Sequence, residues 1–168
     1  ADIVETAEAW DIALKTNAPT VLALSRQGLK AFRSEKSTEN KVSKGGYILH
    51  ENSTKRDLTI IATGSEIEIA MEASSSLYND GINAAVVSLP CWELFDKQDD
   101  DYKSKVLGVC PRIAIEAGTE MGWSKYIGEK GIFIGMNSFG ASGPAPELYK
   151  HFGITSEAVV NAAKKALA

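Results

Sequence analysis

The sequence predicts a three-layer α/β/α domain whose sheet is mostly parallel, with one antiparallel strand at its edge. From residue 46 onward, compact apolar runs alternate with stretches of helical period, and turn residues separate them. Strands that alternate with helices form right-handed βαβ units, so that helices cover both faces of the sheet. The runs themselves are almost wholly apolar, as strands buried on both faces are.

The first residues predict a short amphipathic helix and then a buried strand. Asp2 stands three residues before Glu5 in a capping-box-like start. Apolar residues then recur at helical spacing, namely Ile3, Ala7, Trp10 and Leu14. A break at residues 17–19 ends the helix, and the apolar run of residues 20–25 predicts the strand. One helix and one strand cannot bury both of their faces, so residues 1–28 are expected to be the end of a larger unit.

Residues 29–44 predict an interdomain linker. They are rich in Lys, Ser, Glu and Gly and poor in branched apolar residues. We therefore expect limited proteolysis to cut first between Lys30 and Lys44, and residues 45–168 to follow as the domain. Because the chain starts without methionine and within a helix-start pattern, we also expect it to be a fragment of a longer protein.

The elements of this domain follow one another closely. Strands are expected at residues 46–51, 58–63, 82–89, 112–117 and 132–135, the first of them at the edge of the sheet. Helices are expected at residues 66–78, 97–107, 121–128, 146–152 and 156–167. Thr155 is the expected N-cap of the last helix. Residues 138–144 are too rich in Gly and Ser for a regular element and predict a loop.

The charge and the cysteine content exclude several classes of partner. Lys and Arg number 18 and Asp and Glu number 22, which gives a net charge of −4 and no strong field of either sign. Neither nucleic acid nor an anionic membrane is therefore expected as a partner. No apolar run reaches the roughly 18 to 20 residues that cross a bilayer. Cys91 and Cys110 lie outside any CxxC motif, which is typical of a reducing cytoplasm.

Several polar residues that stand out have a structural interpretation. His50 and His151 lack the neighbouring Cys or carboxylate spacing of a metal site. Cys91 and Cys110 have no nearby base in the sequence, so they are interpreted as packed thiols. The acidic run of residues 99–101 is interpreted as a solvated helix start, where the macrodipole favours acids. No metal-binding or catalytic residue is predicted.

Gly64 and Ser65 stand between a predicted strand and a predicted helix. Their backbone N–H groups and the helix N-terminus would receive an anion, which makes a free-standing nucleotide- or small-molecule-binding α/β module an alternative function. The pair lacks the three glycines of a dinucleotide fingerprint and the Gly-Lys-Ser/Thr of a P-loop. A tight turn with Ser65 as N-cap is the favoured interpretation.

Arg26 is the best candidate for a ligand-binding residue. It follows the predicted strand of residues 20–25, at the end where α/β sheets present their ligands. A guanidinium there is suited to hold a phosphate with two charge-assisted hydrogen bonds. The structural alternative is an arginine paired with a carboxylate at the domain junction. Ser25 and Gln27 are interpreted as structural neighbours.

Several motifs in register resemble those of transketolases. They are Leu24-Ser25-Arg26-Gln27, Ala62-Thr63-Gly64-Ser65-Glu66, Val87-Ser88-Leu89-Pro90, Phe95-Asp96-Lys97-Gln98, Ile115-Glu116-Ala117-Gly118 followed by Trp123, and residues 135–145. The resemblance covers essentially the whole chain. It implies that residues 1–28 end a pyrimidine-binding domain and that residues 45–168 are the complete C-terminal domain.

The resemblance implies a homodimeric enzyme that depends on thiamine diphosphate and magnesium. Such an enzyme transfers a two-carbon ketol unit from a ketose phosphate to an aldose phosphate in the pentose phosphate pathway, and Arg26 would bind the sugar phosphate. The sequence has no Gly-Asp-Gly run with a following Asn that would hold the metal-diphosphate. The fragment is therefore expected to bind no cofactor and to be inactive alone, with the rest of the chain as its partner.

Two points stay open. Dihydroxyacetone synthase, deoxyxylulose-phosphate synthase and the β part of a 2-oxoacid dehydrogenase are alternative parents. Trp123, Tyr126 and Phe139 are either aromatic anchors of an interface or core residues. The dimeric parent that the resemblance implies favours the interface.

Overall fold

A computed structural model describes residues 1–34 and 37–168, and these contain a five-stranded sheet. The strands are β1 (Tyr47–His50), β2 (Leu58–Ala62), β3 (Ala84–Ser88), β4 (Arg112–Ile115) and β5 (Ile132–Ile134). Their order across the sheet is β1-β3-β2-β4-β5. Strand β1 is antiparallel to β3 at the edge, and the other neighbouring pairs are parallel.

Seven α-helices accompany the sheet in the described part of the chain. They are α1 (Ile3–Lys15), α2 (Glu66–Asn79), α3 (Trp92–Asp96), α4 (Asp100–Leu107), α5 (Ser124–Ile127), α6 (Ala145–His151) and α7 (Ser156–Leu167). A short 3-10 helix spans Lys41–Lys44. The single helix expected at residues 97–107 is wrong in its start, because the Asp99 side chain caps α4 and the separate helix α3 precedes it.

Successive residues of the central strands enter two hydrophobic cores, one on each face of the sheet. On one face, Ile60 packs in a cluster with Leu77 of α2 and Val159 of α7. On the other face, Ile61 packs in a cluster with Phe95 of α3 and residues of α4 and α5. Because successive strand side chains point to opposite faces, a strand covered on both faces must be apolar at nearly every position. The predicted three-layer α/β/α fold with a mostly parallel sheet is confirmed.

Trp123 and Tyr126, which were expected either at an interface or in the core, lie in the second core. Trp123 and Tyr126 are only 3% and 2% exposed. The ring of Trp92 packs against both, with centroid distances of 5.2 Å to Trp123 and 5.0 Å to Tyr126. The expectation that these two residues anchor an interface is therefore wrong, because they fill the core beneath α3. Phe139 is different, since it is 98% exposed on the predicted loop.

Helix α1 attaches to the domain through its polar side. Glu5 is buried and accepts hydrogen bonds from the Tyr47 hydroxyl at 2.8 Å and the Ser88 hydroxyl at 2.5 Å. The apolar stripe that the sequence predicts is present, but it faces solvent. Its large side chains are strongly exposed, at 77% for Ile3, 50% for Trp10 and 80% for Leu14.

Residues 32 and 33 form a second attachment of α1. Asp2 caps the helix by accepting from the backbone N–H of Glu5, and its other oxygen accepts from the backbone N–H groups of Phe32 and Arg33. The Arg33 guanidinium donates to the Glu8 carboxylate at 2.8 Å. Asp2, which precedes α1, and Glu8, within α1, are thus both hydrogen-bonded to residues that lead into the domain.

The strand expected at residues 20–25 is wrong for this structure. These residues belong to no strand or helix, and Val21 and Leu24 are 92% and 59% exposed. A strand needs a neighbour to satisfy its backbone N–H and C=O groups, and no neighbouring strand lies beside this segment in the described residues. The division at residues 1–28, 29–44 and 45–168 stays a prediction, and residues 35–36 of the linker lie outside the described residues.

Candidate functional site

The strand order creates a crevice at one edge of the sheet. The chain leaves β2 toward β3 on one side and later returns to β4 on the other side of β2. Helices that leave two adjacent strands in opposite directions open a gap outside the carboxyl ends of those strands, where α/β proteins bind ligands. Thr63 and Glu116 directly follow β2 and β4 at this point.

A cleft of about 450 Å³ lies at this position and is called the strand-end cleft here. Its lining includes a polar set, residues 63–66, Glu116 and Tyr149, called the polar wall here, and an apolar set that includes Met136, Leu148 and Phe152. Residues 23–25 and Gln27 also line it. The segment that failed to become a strand therefore borders this cleft.

The turn that leads into α2 brings a carboxylate to the cleft. Gly64 has a φ of +49°, in the left-handed region that glycine adopts without strain. Ser65 occupies the expected N-cap position, but its hydroxyl donates to the side chain of Glu66 at 3.2 Å and makes no cap hydrogen bond. Glu66 is 3% exposed and begins α2, where the helix dipole stabilises an acid.

Tyr149 of α6 holds the Glu66 carboxylate in place. Its hydroxyl donates to Glu66 Oε1 at 2.6 Å and accepts from the side-chain amide of Gln27 at 3.2 Å. Burial, together with the hydrogen bond to the Glu66 carboxylate, raises the pKa of Tyr149 to about 12. The phenol therefore keeps its proton at neutral pH and acts as a donor.

Glu116 is the second carboxyl group of the strand-end cleft. The Thr63 hydroxyl donates to its Oε2 at 2.6 Å. Burial, and to a smaller extent the negative charge of Glu66, raises the pKa of Glu116 to about 7, although the Thr63 hydrogen bond opposes this shift. Among the described residues that line the cleft there is no Lys, Arg or His. Two carboxyl groups without a cation repel an anion, so the alternative of a nucleotide or anion site at Gly64 and Ser65 is not favoured.

Arg26 lies next to the cleft but does not line it. Its neighbours Ser25 and Gln27 both line the cleft, whereas Arg26 itself is exposed. Gln27 reaches Tyr149, so it is a structural neighbour of the cleft. Within residues 1–34 and 37–168, Arg26 has no ion-pair partner. The role of Arg26 as a phosphate-binding residue stays a prediction.

The remaining candidates make the following contacts. His50 lies 2.9 Å from the side-chain oxygen of Asn52, and the ring of His151 packs edge-on against Phe152. Burial raises the pKa of the Cys91 thiol, which is the opposite of what activates a nucleophile. The Asp99 carboxylate accepts from the backbone N–H of Tyr102 at 2.7 Å, which confirms the helix start.

Both cysteines are free, and no group of three or more His, Cys, Asp or Glu in the described residues is arranged to hold a metal ion. None of the helices in the described residues is long and apolar enough to span a membrane.

Glu66, Glu116 and Tyr149 were not predicted to form a group. Glu66 and Glu116 fall within the motifs quoted above, but neither was singled out. The available signal was their position, since each is an acid within a few residues of the end of an apolar strand. Tyr149 is 83 residues from Glu66 along the chain, so no local pattern connects them.

Comparisons with known proteins agree with the motifs. The model of the transketolase-like TK C-terminal domain matches residues 45–155. A transketolase from Sinorhizobium medicae (strain WSM419) is 56% identical over 95% of this chain, and Transketolase-1, chloroplastic, from Arabidopsis thaliana is 53% identical over 98% of it. The solved structure of a transketolase from Leishmania mexicana matches 99% of the chain with a TM-score of 0.90 and 40% identity.

The chain spans 23%, 22% and 24% of the length of these three proteins, respectively. The family model covers well over half of the chain, and the five strands and helices α2 to α6 lie within the matched region. This chain is therefore a member of the transketolase-like C-terminal domain family.

Proposed function

We propose that this chain is the carboxyl-terminal part of a transketolase that transfers a two-carbon ketol unit from a ketose phosphate to an aldose phosphate in the pentose phosphate pathway. The observation that carries the proposal is 56% identity over 95% of the chain to a transketolase. Because the chain spans about a quarter of such proteins, the activity belongs to the intact protein.

The intact protein is proposed to be a homodimer that uses thiamine diphosphate and magnesium. The described residues of this chain do not fit that cofactor, because they offer no metal-holding cluster and the strand-end cleft repels a diphosphate. Both ligands are therefore assigned to the part of the protein outside this chain, and the fragment alone is proposed to be inactive. Calorimetric titration of the fragment with thiamine diphosphate and Mg²⁺ should give no saturable heat, and micromolar binding would contradict this division.

The proposed contribution of this chain to substrate binding is Arg26. An exposed guanidinium without an ion-pair partner in the described residues is available to a ligand, which favours the phosphate role over the paired structural alternative. Arginine suits this role because its planar fork donates two parallel hydrogen bonds to a phosphate. The rest of the domain would then support the fold and the dimer.

The test of the reaction is an assay of the intact protein with pentose phosphates, thiamine diphosphate and Mg²⁺. Formation of a ketose phosphate two carbons longer than the aldose phosphate acceptor would support transketolase. In a second assay with formaldehyde as the one-carbon acceptor, efficient formation of dihydroxyacetone would support the dihydroxyacetone synthase alternative. We propose the cytoplasm as the location, on the strength of the two free cysteines, although the Arabidopsis relative is named as chloroplastic.

A further inference from the structure

The lining of the strand-end cleft combines polar and apolar side chains. Thr63, Glu66, Glu116 and Tyr149 supply its polar groups, and Met136, Leu148 and Phe152 are among its apolar residues. Its volume of about 450 Å³ falls within the range of small-molecule sites, roughly 300 to 1,000 Å³. A ligand that fits both kinds of side chain must carry a polar head and a short apolar body.

The charge of the polar wall determines the sign of that head. Glu66 and Glu116 are the ionisable acids of the lining, and the lining contains no Lys, Arg or His within the described residues. The N-terminus of α2 partly balances the charge of Glu66, but Glu116 follows β4 and has no such helix end behind it. A cationic head is therefore attracted to this wall, whereas an anionic head is repelled.

The hydrogen bonding of Glu66 is incomplete, although the side chain is 3% exposed. In the described part of the chain, both hydrogen bonds that it accepts go to Oε1, one from Ser65 and one from Tyr149. Oε2 accepts no hydrogen bond from a described residue and is not among the fully buried unpaired atoms, so it keeps access to solvent on a residue that lines the cleft. A carboxylate oxygen with two unused lone pairs in a cleft is an acceptor for a ligand N–H.

We propose that the strand-end cleft binds a small primary amine, whose ammonium group donates to Glu66 Oε2 and to Glu116 while its alkyl body packs on Met136 and Leu148. An ammonium group provides three donors and one positive charge, which matches two carboxyl groups at one wall. A metal ion matches less well, because the described residues hold no cluster of three or more metal ligands. This site is separate from Arg26 and goes beyond the proposed ketol transfer.

The experiment is a titration of the intact protein with n-butylammonium at pH 8, followed by calorimetry or by ligand-observed NMR, with 1-butanol as the neutral probe of equal shape. We expect saturable binding of the amine and at least tenfold weaker binding of the alcohol, since a charge-assisted hydrogen bond is lost. Glu66→Gln keeps an acceptor for Tyr149 but removes the charge, and it should weaken the amine at least tenfold. Glu72→Gln removes the same charge from an exposed position of the same helix and should change nothing.

A second variant, Ala141→Trp, keeps the test valid if Glu66→Gln does not fold. Ala141 is exposed and lines the cleft from its outer loop, so Ala141→Trp should block the cleft without disturbing the core. Loss of amine binding in Ala141→Trp as well as in Glu66→Gln supports the site. No saturable binding, equal binding of butanol, or unchanged binding in Glu66→Gln would each overturn it. Because the readout is binding, none of these outcomes depends on whether the protein transfers ketol units.

Discussion

Helices α1 and α7 are nearly equal in length, at 13 and 12 residues, yet they use opposite faces. Helix α7 buries apolar side chains, with Val159 and Ala163 fully covered by the sheet and α2. Helix α1 buries Asp2 and Glu5 and leaves its apolar stripe in solvent. The difference teaches that amphipathicity locates a helix but not the partner of its apolar face. Helix α7 completes this domain, and the stripe of α1 fits the predicted membership of residues 1–28 in a preceding unit.

The largest expected effect comes from placing the same polar side chain on each helix. Val159→Gln buries an amide in an apolar core and should lower the free energy of unfolding of this chain by about 3 to 5 kcal/mol. Leu14→Gln keeps helix propensity on an exposed face and should change it by less than about 0.5 kcal/mol. Urea unfolding of both variants measures the difference.

The same Leu14→Gln substitution in the intact protein sharpens the comparison. If the preceding domain covers the α1 stripe, the cost there should rise to about 1 to 3 kcal/mol, the value of a buried leucine. An equal, near-zero cost in the fragment and in the intact protein would mean that the stripe stays in solvent, and the assignment of residues 1–28 would be wrong.

A second prediction concerns the polar attachment of α1. The Arg33 and Glu8 side chains are 10% and 13% exposed, so Arg33→Ala leaves a nearly buried carboxylate without its partner. We expect the free energy of local opening of α1 to fall by about 2 to 4 kcal/mol, seen as faster hydrogen exchange of α1 amides, while β2 and β3 stay protected. Lys15→Ala breaks an exposed ion pair with Asp11 and should cost less than about 0.5 kcal/mol. Equal acceleration in both variants would show that the Glu8 pair does not hold the helix.

The sequence predicted the sheet well because its signals are local. Continuous apolar runs such as residues 58–63 belong to strands covered on both faces, and turn residues mark their ends. The antiparallel edge strand and the Thr155 cap were also predicted from neighbouring residues, and both are confirmed.

The features that the sequence did not predict share one cause: each depends on contacts between residues that are far apart in the sequence. The apolar run of residues 20–25 has the composition of a strand, but a strand also needs a pairing neighbour, which the described chain does not supply. Trp123 could be placed in the core only after α3 brought Trp92 against it. The polar wall of the strand-end cleft joins Thr63 to Glu116 across 53 residues, and only the strand order makes them neighbours.

A third prediction concerns the activity of the intact protein. It involves Arg26, which lies in the same segment, residues 1–28, as α1. Arg26→Ala in the intact protein should lower kcat/KM for phosphorylated sugars about tenfold to a hundredfold, because hydrogen bonds to charged groups are typically worth about 1.5 to 3 kcal/mol. Turnover of the unphosphorylated donor hydroxypyruvate with an unphosphorylated acceptor should change little. Arg26→Lys should recover part of the loss, since it keeps the charge but not the planar fork. Equal losses on both kinds of substrate would mark Arg26 as structural.

The smallest expected effect on stability comes from Glu116, which lies in the same domain as α7. Its pKa is raised from 4.5 to about 7 in the folded chain, so between these pH values the folded state holds a proton that the unfolded state has lost. The proton-linked stability is fully present below about pH 4.5 and is lost as the pH rises through 7, which should lower the free energy of unfolding by about 1 to 3 kcal/mol.

Glu116→Gln isolates this effect, because an amide oxygen still accepts from the Thr63 hydroxyl but cannot ionise. The variant should therefore be more stable than the parent chain at pH 8 and about equal to it at pH 5, in urea unfolding at both pH values. Glu120→Gln removes a carboxylate from an exposed position and should leave the pH dependence of the parent unchanged. If Glu116→Gln keeps the same fall in stability between pH 5 and pH 8, the proton is held elsewhere, and the carboxyl group of the strand-end cleft is already ionised at pH 5.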